Sequence, residues 1–139
     1  MTRARDIMTK GVAHLKTNGT AVDAARKLAQ ADIGSLLVCE PDGHLAGIVT
    51  DRDLVVKVVA TAGDPKTVQL SEVVADQPQV VTIGADDPIE AVFAVMKQHK
   101  LRRLPVIDGT EVVGVISQAD IARNLPNEQA GDLVEAISQ

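Results

Sequence analysis

Short apolar runs and helix-period stretches succeed one another in a fixed order, and the order occurs twice. Val12–Leu15 and Val80–Ile83 are apolar runs of strand length, each followed by a turn signal, "KTNGT" or "GADDP". Positions spaced three, four and seven apart come next. Ile89, Val92, Phe93 and Met96 predict one buried helix face, and Ala21, Ala24, Ala25 and Leu28 predict the matching face in the first copy. Asp87 is the expected N-cap of the second helix, with Pro88 at its first position and Glu90 in its first turn. Two apolar strands follow in each copy, joined by the hairpin signals Asp42-Gly43 and Asp108-Gly109. A last helix is expected over Asp51 to about Ala60, and over Gln118 to about Asn124.

Each copy therefore reads β-α-β-β-α. Two or three short strands do not close a core alone, so two copies are expected to pack as one unit. "RDIM" pairs with "SEVV", "IGSLLV" with "LRRLPV", and "DGHLAGIVTDRDL" with "DGTEVVGVISQADI", which is longer by one residue. The expected fold class is α/β (α+β), with two pseudo-twofold related repeats: residues 1–62, a linker at 63–70, residues 71–125, and a tail at 126–139 in which Leu133, Val134 and Ile137 form one stripe and predict a short docking helix. The segment "DLVVKVVATAG" is apolar on nearly all sides, which calls for cover by the second copy or by a partner chain.

Composition narrows the function. Phe93 is the only aromatic residue, so the core is aliphatic and a bound base has almost no ring to stack on. A net charge of −5 without a basic block argues against nucleic acid as a partner. Apolar runs are far too short to span a bilayer, and "MTRARDIMTKG" has no apolar signal-peptide core, so no membrane role is expected. Cys39 is the single cysteine, which rules out an intramolecular disulfide, and the cytoplasm is the expected location. His14 and Cys39 lie on neighbouring strands and form a weak metal candidate, two ligands being too few for a closed zinc site. No nucleophile triad, HExxH or P-loop is present, and no catalytic activity is expected.

The repeated "GIVTDRDL" and "GVISQADI" carry the chemistry of interest. Thr50 with Asp53, and Ser117 with Asp120, have the spacing of a helix capping box, and Gly47 and Gly114 permit close strand packing. The same spacing also suits a ligand. Backbone N–H groups and a hydroxyl at a helix start bind phosphate, and a carboxylate three residues on can accept both hydroxyls of a ribose.

With "ARDIM", "LRRLPVID" and the two glycine-led motifs, residues 3–125 resemble a tandem pair of cystathionine β-synthase (CBS) domains, a Bateman module. "TDRDLV" and "ADIARNLP" make the chain most similar to stand-alone two-CBS proteins of the actinobacterial hypoxic-response type. The resemblance implies a regulatory sensor that binds an adenosine-type ligand (AMP, ADP, ATP or S-adenosylmethionine) between the repeats and requires no cofactor. It implies that Asp53 and Asp120 hold ribose hydroxyls, that Thr50 and Ser117 contact phosphate or ribose, and that Val12, His14, Val80 and Thr82 border the base. Arg102 and Arg103 could neutralise phosphate in copy two. The matching "GS" of copy one has no cation, and Lys10, Arg52 and Lys57 are its nearest ones in sequence. A homodimer and an unidentified protein partner are expected. The alternative is a ligand-free interaction dimer in which the motifs serve only as caps.

Overall fold

In the computed structural model, residues 2–124 and Gly131 are described. The expected docking helix of the tail lies outside the described residues. The chain forms a mixed α+β protein with two three-stranded sheets. It divides into two compact units, one of Ala13–Val80 and the other of the segment ending at Val12 together with the segment from Val81 on.

The first-repeat unit holds β1 (His14–Lys16), α2 (Ala21–Ala31), β2 (Ser35–Cys39), β3 (Leu45–Thr50) and α3 (Asp51–Leu54). β1 runs parallel to β2, and β2 antiparallel to β3. Leu36, Val38 and Val49 of the sheet and Ala24 and Leu28 of α2 make its core. The second-repeat unit repeats the plan with β4 (Ile83–Gly84), α5 (Ile89–His99), β5 (Arg103–Asp108), β6 (Glu111–Ser117) and α6 (Gln118–Asn124). Val92, Met96, Leu104, Val106 and Ile116 are fully buried there.

Two short helices absent from the expected order decide how the repeats are completed. α1 (Ala4–Ile7) opens the first repeat but packs in the second-repeat unit, where Ala4 and Ile7 join the core. α4 (Leu70–Val74) opens the second repeat but packs in the first-repeat unit through Leu70, Val73 and Val74. Main-chain bonds fix both. Ala4 and Arg5 donate to the carbonyls of Asp87 and Ala85, each at 2.9 Å. Leu70 and Ser71 donate to the carbonyls of Gly19 (2.8 Å) and Thr17 (3.0 Å).

The motif glycines are where these exchanged segments come close. A Cβ on Gly114 would stand 2.7 Å from the Thr9 carbonyl oxygen and 2.8 Å from Met8 Sδ. A Cβ on Gly47 would stand 2.7 Å from Gln77 Oε1 and 2.8 Å from Val74 Cβ. The residues that follow them then find unlike partners. Val115 trades two main-chain bonds with Thr9, at 2.9 and 3.1 Å. Ile48 trades two with the Gln77 side-chain amide, Oε1 accepting at 3.0 Å and Nε2 donating at 2.6 Å. A primary amide there does the work of a strand edge.

Several expectations need correction. Pro88, not Asp87, is the N-cap of α5: its carbonyl accepts the first helical bonds from Ala91 and Val92, while the Asp87 carboxylate turns back to take the Gly84 N–H at 2.9 Å. The first strands begin later than the apolar runs, so Val12, Val80 and Thr82 precede them; the chain passes between the compact units at Val12/Ala13 and at Val80/Val81. Ala25 of α2 is exposed, and the buried face is Ala21, Ala24 and Leu28. The helix after Asp51 is α-helical only to Leu54 and continues as a π-helical turn over Val55–Val59. That widening buries Val58 while Val55, Val56 and Val59 stay exposed.

Candidate functional site

The two repeated motifs fold into the same local device. β3 ends at Thr50, whose extended backbone lets its Oγ1 accept the Asp53 N–H at 3.1 Å; Asp53 Oδ2 accepts the Thr50 N–H at 2.9 Å in return. β6 ends at Ser117, whose Oγ accepts the Asp120 N–H at 3.2 Å while Asp120 Oδ2 accepts the Ser117 N–H at 2.9 Å. Thr20 and Asp23 build a third such box at the start of α2, with bonds of 3.4 and 3.0 Å. There the Thr20 N–H, and then its hydroxyl, hold the Asp23 carboxyl below the usual carboxylate range.

The carboxylates differ in what else they meet. Asp120 is 2% exposed. Its Oδ2 also takes the Ser117 hydroxyl at 3.1 Å, its Oδ1 takes the Thr9 hydroxyl at 2.8 Å, and Oδ1 is paired with the Arg123 guanidinium as well. Four donors fill the lone pairs a carboxylate offers. Asp53 is half-buried, and among the described residues its Oδ2 alone is engaged, by the Thr50 N–H.

The other predicted site residues sort between the two units. Arg103 stands in register opposite Ser117, and the Arg102 carbonyl accepts the Gln118 N–H at 3.1 Å, so both arginines flank the box of their own repeat and both are exposed. The corresponding pair in the first-repeat unit is Ser35 in register with Thr50, and Gly34, whose carbonyl meets the Asp51 N–H at 3.4 Å. Lys57, among the cations expected to serve copy one, is engaged elsewhere. Its Nζ donates to the Val73 carbonyl near the end of α4 (2.9 Å) and to Asp76 (2.7 Å), and this ammonium lowers the Asp76 carboxyl below its ordinary range. His14 is exposed on β1 opposite Leu37, and Thr82 and Val80 are half-buried. Val12 falls in the second-repeat unit with Thr82, while Val80 falls in the first-repeat unit with His14.

The His14–Cys39 metal candidate does not come together in register. Lys16, not His14, lies opposite Cys39, which is buried with its thiol pKa raised by that burial. Among the described residues no three His, Cys, Asp or Glu side chains stand close enough to hold a metal ion.

The CBS-domain model matches the chain twice, over residues 4–60 and 70–127. The chain belongs to the CBS-domain family. Hypoxic response protein 1 of Mycobacterium tuberculosis is 39% identical over 137 residues, which cover 99% of this chain and 94% of that protein. The crystal structure of Hypoxic Response Protein I with two coordinated zinc ions superposes with a TM-score of 0.77 at 39% identity, covering 90% of this chain and all of that one. A hexameric CBS-CP12 protein from bloom-forming cyanobacteria superposes with a TM-score of 0.65 at 32% identity, covering 97% of this chain and 74% of that one. Tandem CBS-domain proteins are regulatory modules. Among the described residues no helix is long and apolar enough to cross a membrane.

Sequence reasoning missed Thr9, Arg123 and Gln77. Arg123 had a usable signal, because a cation three residues beyond a helical carboxylate shares its face. Thr9 had none: 111 residues separate it from Asp120.

Proposed function

We propose that the protein is a regulatory sensor that binds an adenosine-containing ligand (AMP, ADP, ATP or S-adenosylmethionine) without a required cofactor, acts as a cytoplasmic homodimer, and serves a stress or hypoxic response. The observation that carries the ligand is the Thr50–Asp53 box, in which Oδ1 of a half-buried carboxylate meets no donor among the described residues beside a helix start. Ribose hydroxyls supply the donors such an oxygen lacks. Within the second-repeat unit Arg102 and Arg103 beside Ser117 are the candidate charges for a phosphate, with Val12 and Thr82 as candidate neighbours of a base; within the first-repeat unit His14 and Val80 are the candidate neighbours of a base. The likeness to Hypoxic response protein 1 supports the cellular setting. The exposed Val55, Val56 and Val59 support a second copy as partner, beside an as yet unidentified effector protein. Zinc, held by Hypoxic Response Protein I, is left out of the proposal because His14 and Cys39 stay apart in register.

A second reading is favoured by one observation: three hydroxyl-x-x-Asp boxes close in the same way, including Thr20–Asp23, which no repeat matches. On that reading the protein is a ligand-free interaction dimer. A thermal-unfolding panel with AMP, ADP, ATP, NAD and S-adenosylmethionine at millimolar concentration separates the two. A ligand present at about 100 times its dissociation constant raises stability by roughly 2.7 kcal/mol, and Asp53→Asn should abolish that rise. If no adenosine compound moves the midpoint, the sensor reading fails and the interaction dimer stands.

A further inference from the structure

The two aspartates of the repeated motif are not doing the same job. We propose that Asp120 is a latch that fastens the N-terminal segment to α6, and that any ribose is left to Asp53. The second clause rests on the sensor reading above; the first does not. Oδ1 of Asp120 is shared by the Thr9 hydroxyl, at 2.8 Å, and the Arg123 guanidinium, while Oδ2 closes the Ser117 cap. The carboxylate thereby ties the segment after α1 to the end of β6 and the last turn of α6, which follow one another in the chain 111 residues from Thr9.

Its placement gives the latch a purpose. Thr9 also lends its main chain to β6, donating to Val115 O at 2.9 Å and accepting from Val115 N at 3.1 Å. It packs across Gly114, where even a methyl group would collide with its carbonyl. Three residues carry no inward side chain that could hold this segment: Thr9 itself is exposed, as are Lys10 and Gly11. Met8 still packs against the core, and beyond it the hydroxyl-to-carboxylate bond is the side-chain anchor among Thr9, Lys10 and Gly11. A bond to a buried charge is stronger than one between neutral groups, which suits Asp and not Asn at position 120. In the first-repeat unit the corresponding strand edge is held instead by Gln77, and Asp53 has no third element to tie.

Amide hydrogen exchange at Thr9 and Val115 tests the latch in the full chain. Asp120→Asn and the near-isosteric Thr9→Val should each speed exchange at both amides by about tenfold, the loss of one charge-assisted bond. Adding Thr9→Val to Asp120→Asn should change little further, because the carboxylate that the Thr9 hydroxyl binds is already gone. Thr9→Ser keeps the hydroxyl and should restore the wild-type rate, and Asp53→Asn should leave both amides unchanged. Wild-type exchange in Asp120→Asn, or full additivity of the pair, would overturn the latch. If Asp120→Asn does not fold, the Thr9→Val and Thr9→Ser pair decides. Calorimetry with ATP tests the second clause. Asp53→Asn should weaken ATP at least about tenfold, and Thr9→Val and Asp120→Asn should leave it within about twofold. An Asp120→Asn protein that keeps its amide protection yet loses ATP as Asp53→Asn does would sink the division of labour. If wild-type protein takes up no adenosine compound, the sensor reading falls and with it the ribose clause, while the exchange data still decide the latch.

Discussion

"GIVTDRDL" and "GVISQADI" share their glycine, their hydroxyl and their aspartate, and the two ends of β3 and β6 that they form share a backbone geometry. Yet Asp120 is enclosed by four donors and Asp53 by one. The difference arises outside the motif, from which exchanged segment lies alongside. Thr9 reaches β6 with its main chain and Asp120 of α6 with its hydroxyl, whereas Gln77 reaches β3 with a side chain that bonds Ile48 and not Asp53. The shared glycine, hydroxyl and aspartate thus fix the turn and the cap. The neighbour fixes whether the carboxylate is spent on the fold or remains available.

The largest effect should come from filling the glycine sites. Gly114→Ala meets a main-chain carbonyl that cannot swing aside, and should cost about 3 kcal/mol; Gly47→Ala meets a side-chain amide and the Val74 branch, and should cost roughly 1–2 kcal/mol. Urea unfolding followed by far-ultraviolet circular dichroism suits a chain without Trp or Tyr. Equal costs would mean that the two edges are held equally firmly, contrary to the comparison.

Next in size, Gln77→Ala removes both bonds to Ile48 and should cost about 1–2 kcal/mol by the same measurement. A Gln77→Glu protein keeps the acceptor and loses the donor, and should fall between Ala and wild type near neutral pH.

Acid should then expose the ion pairs that anchor the exchanged segments. Arg5 holds Asp86 below the ordinary carboxylate range beside α1, and Lys57 does the same to Asp76 beside α4. A depressed folded pKa gives stability that is fully present above the unfolded value, near about 3.9, and is lost as pH falls through the folded value. Arg5→Met and Lys57→Met should each lower stability by a small constant amount above about pH 4, their full effect, and should converge on the wild type as pH falls, which flattens the acid limb. All four side chains are largely exposed or half-exposed, so the effect should shrink in high salt. A profile unchanged by either substitution would show that the pairs do not anchor the segments.

The smallest effect compares two helix ends. Asp32 closes α2 and Lys100 closes α5, both left-handed, with φ of 54° and 53°. Aspartate tolerates that region better than lysine does. Lys100→Gly should therefore stabilise by about 0.5–1 kcal/mol and Asp32→Gly by no more than a few tenths, read from the same urea curves.

Much of this architecture was legible in the chain. The three-and-four spacing of Ile89, Val92 and Met96 marked α5 because a buried helix face has few other solutions. Asp42-Gly43 and Asp108-Gly109 marked both hairpins because Gly43 and Gly109 must take positive φ, 99° and 66°. The capping geometry of Thr50 and Ser117 followed from spacing alone. What escaped was decided at a distance. No local pattern says that α1 belongs with β6, or that Gln77 will stand in for a strand. The π-helical turn at Val55–Val59 carries no mark in the sequence, where valines stand on both sides of Lys57 and no single apolar face is picked out. Arg102 and Arg103 flank Ser117 as their place in the repeat implied, but no spacing shows that the Thr9 hydroxyl and Arg123 meet Asp120 beside them.

The exchange of α1 and α4 has a consequence for the order in which the protein can be made. As the chain leaves the ribosome, Ala4 and Ile7 appear first, but the β6 edge they serve is synthesised more than a hundred residues later. The first-repeat unit, by contrast, is complete once Val80 has emerged. The α1 segment must therefore wait until the second repeat has followed it before its own unit can close. A nascent chain cut at the repeat boundary near residue 62 would hold an unmatched α1 and lack α4 altogether, so half of this gene product is not half of this fold.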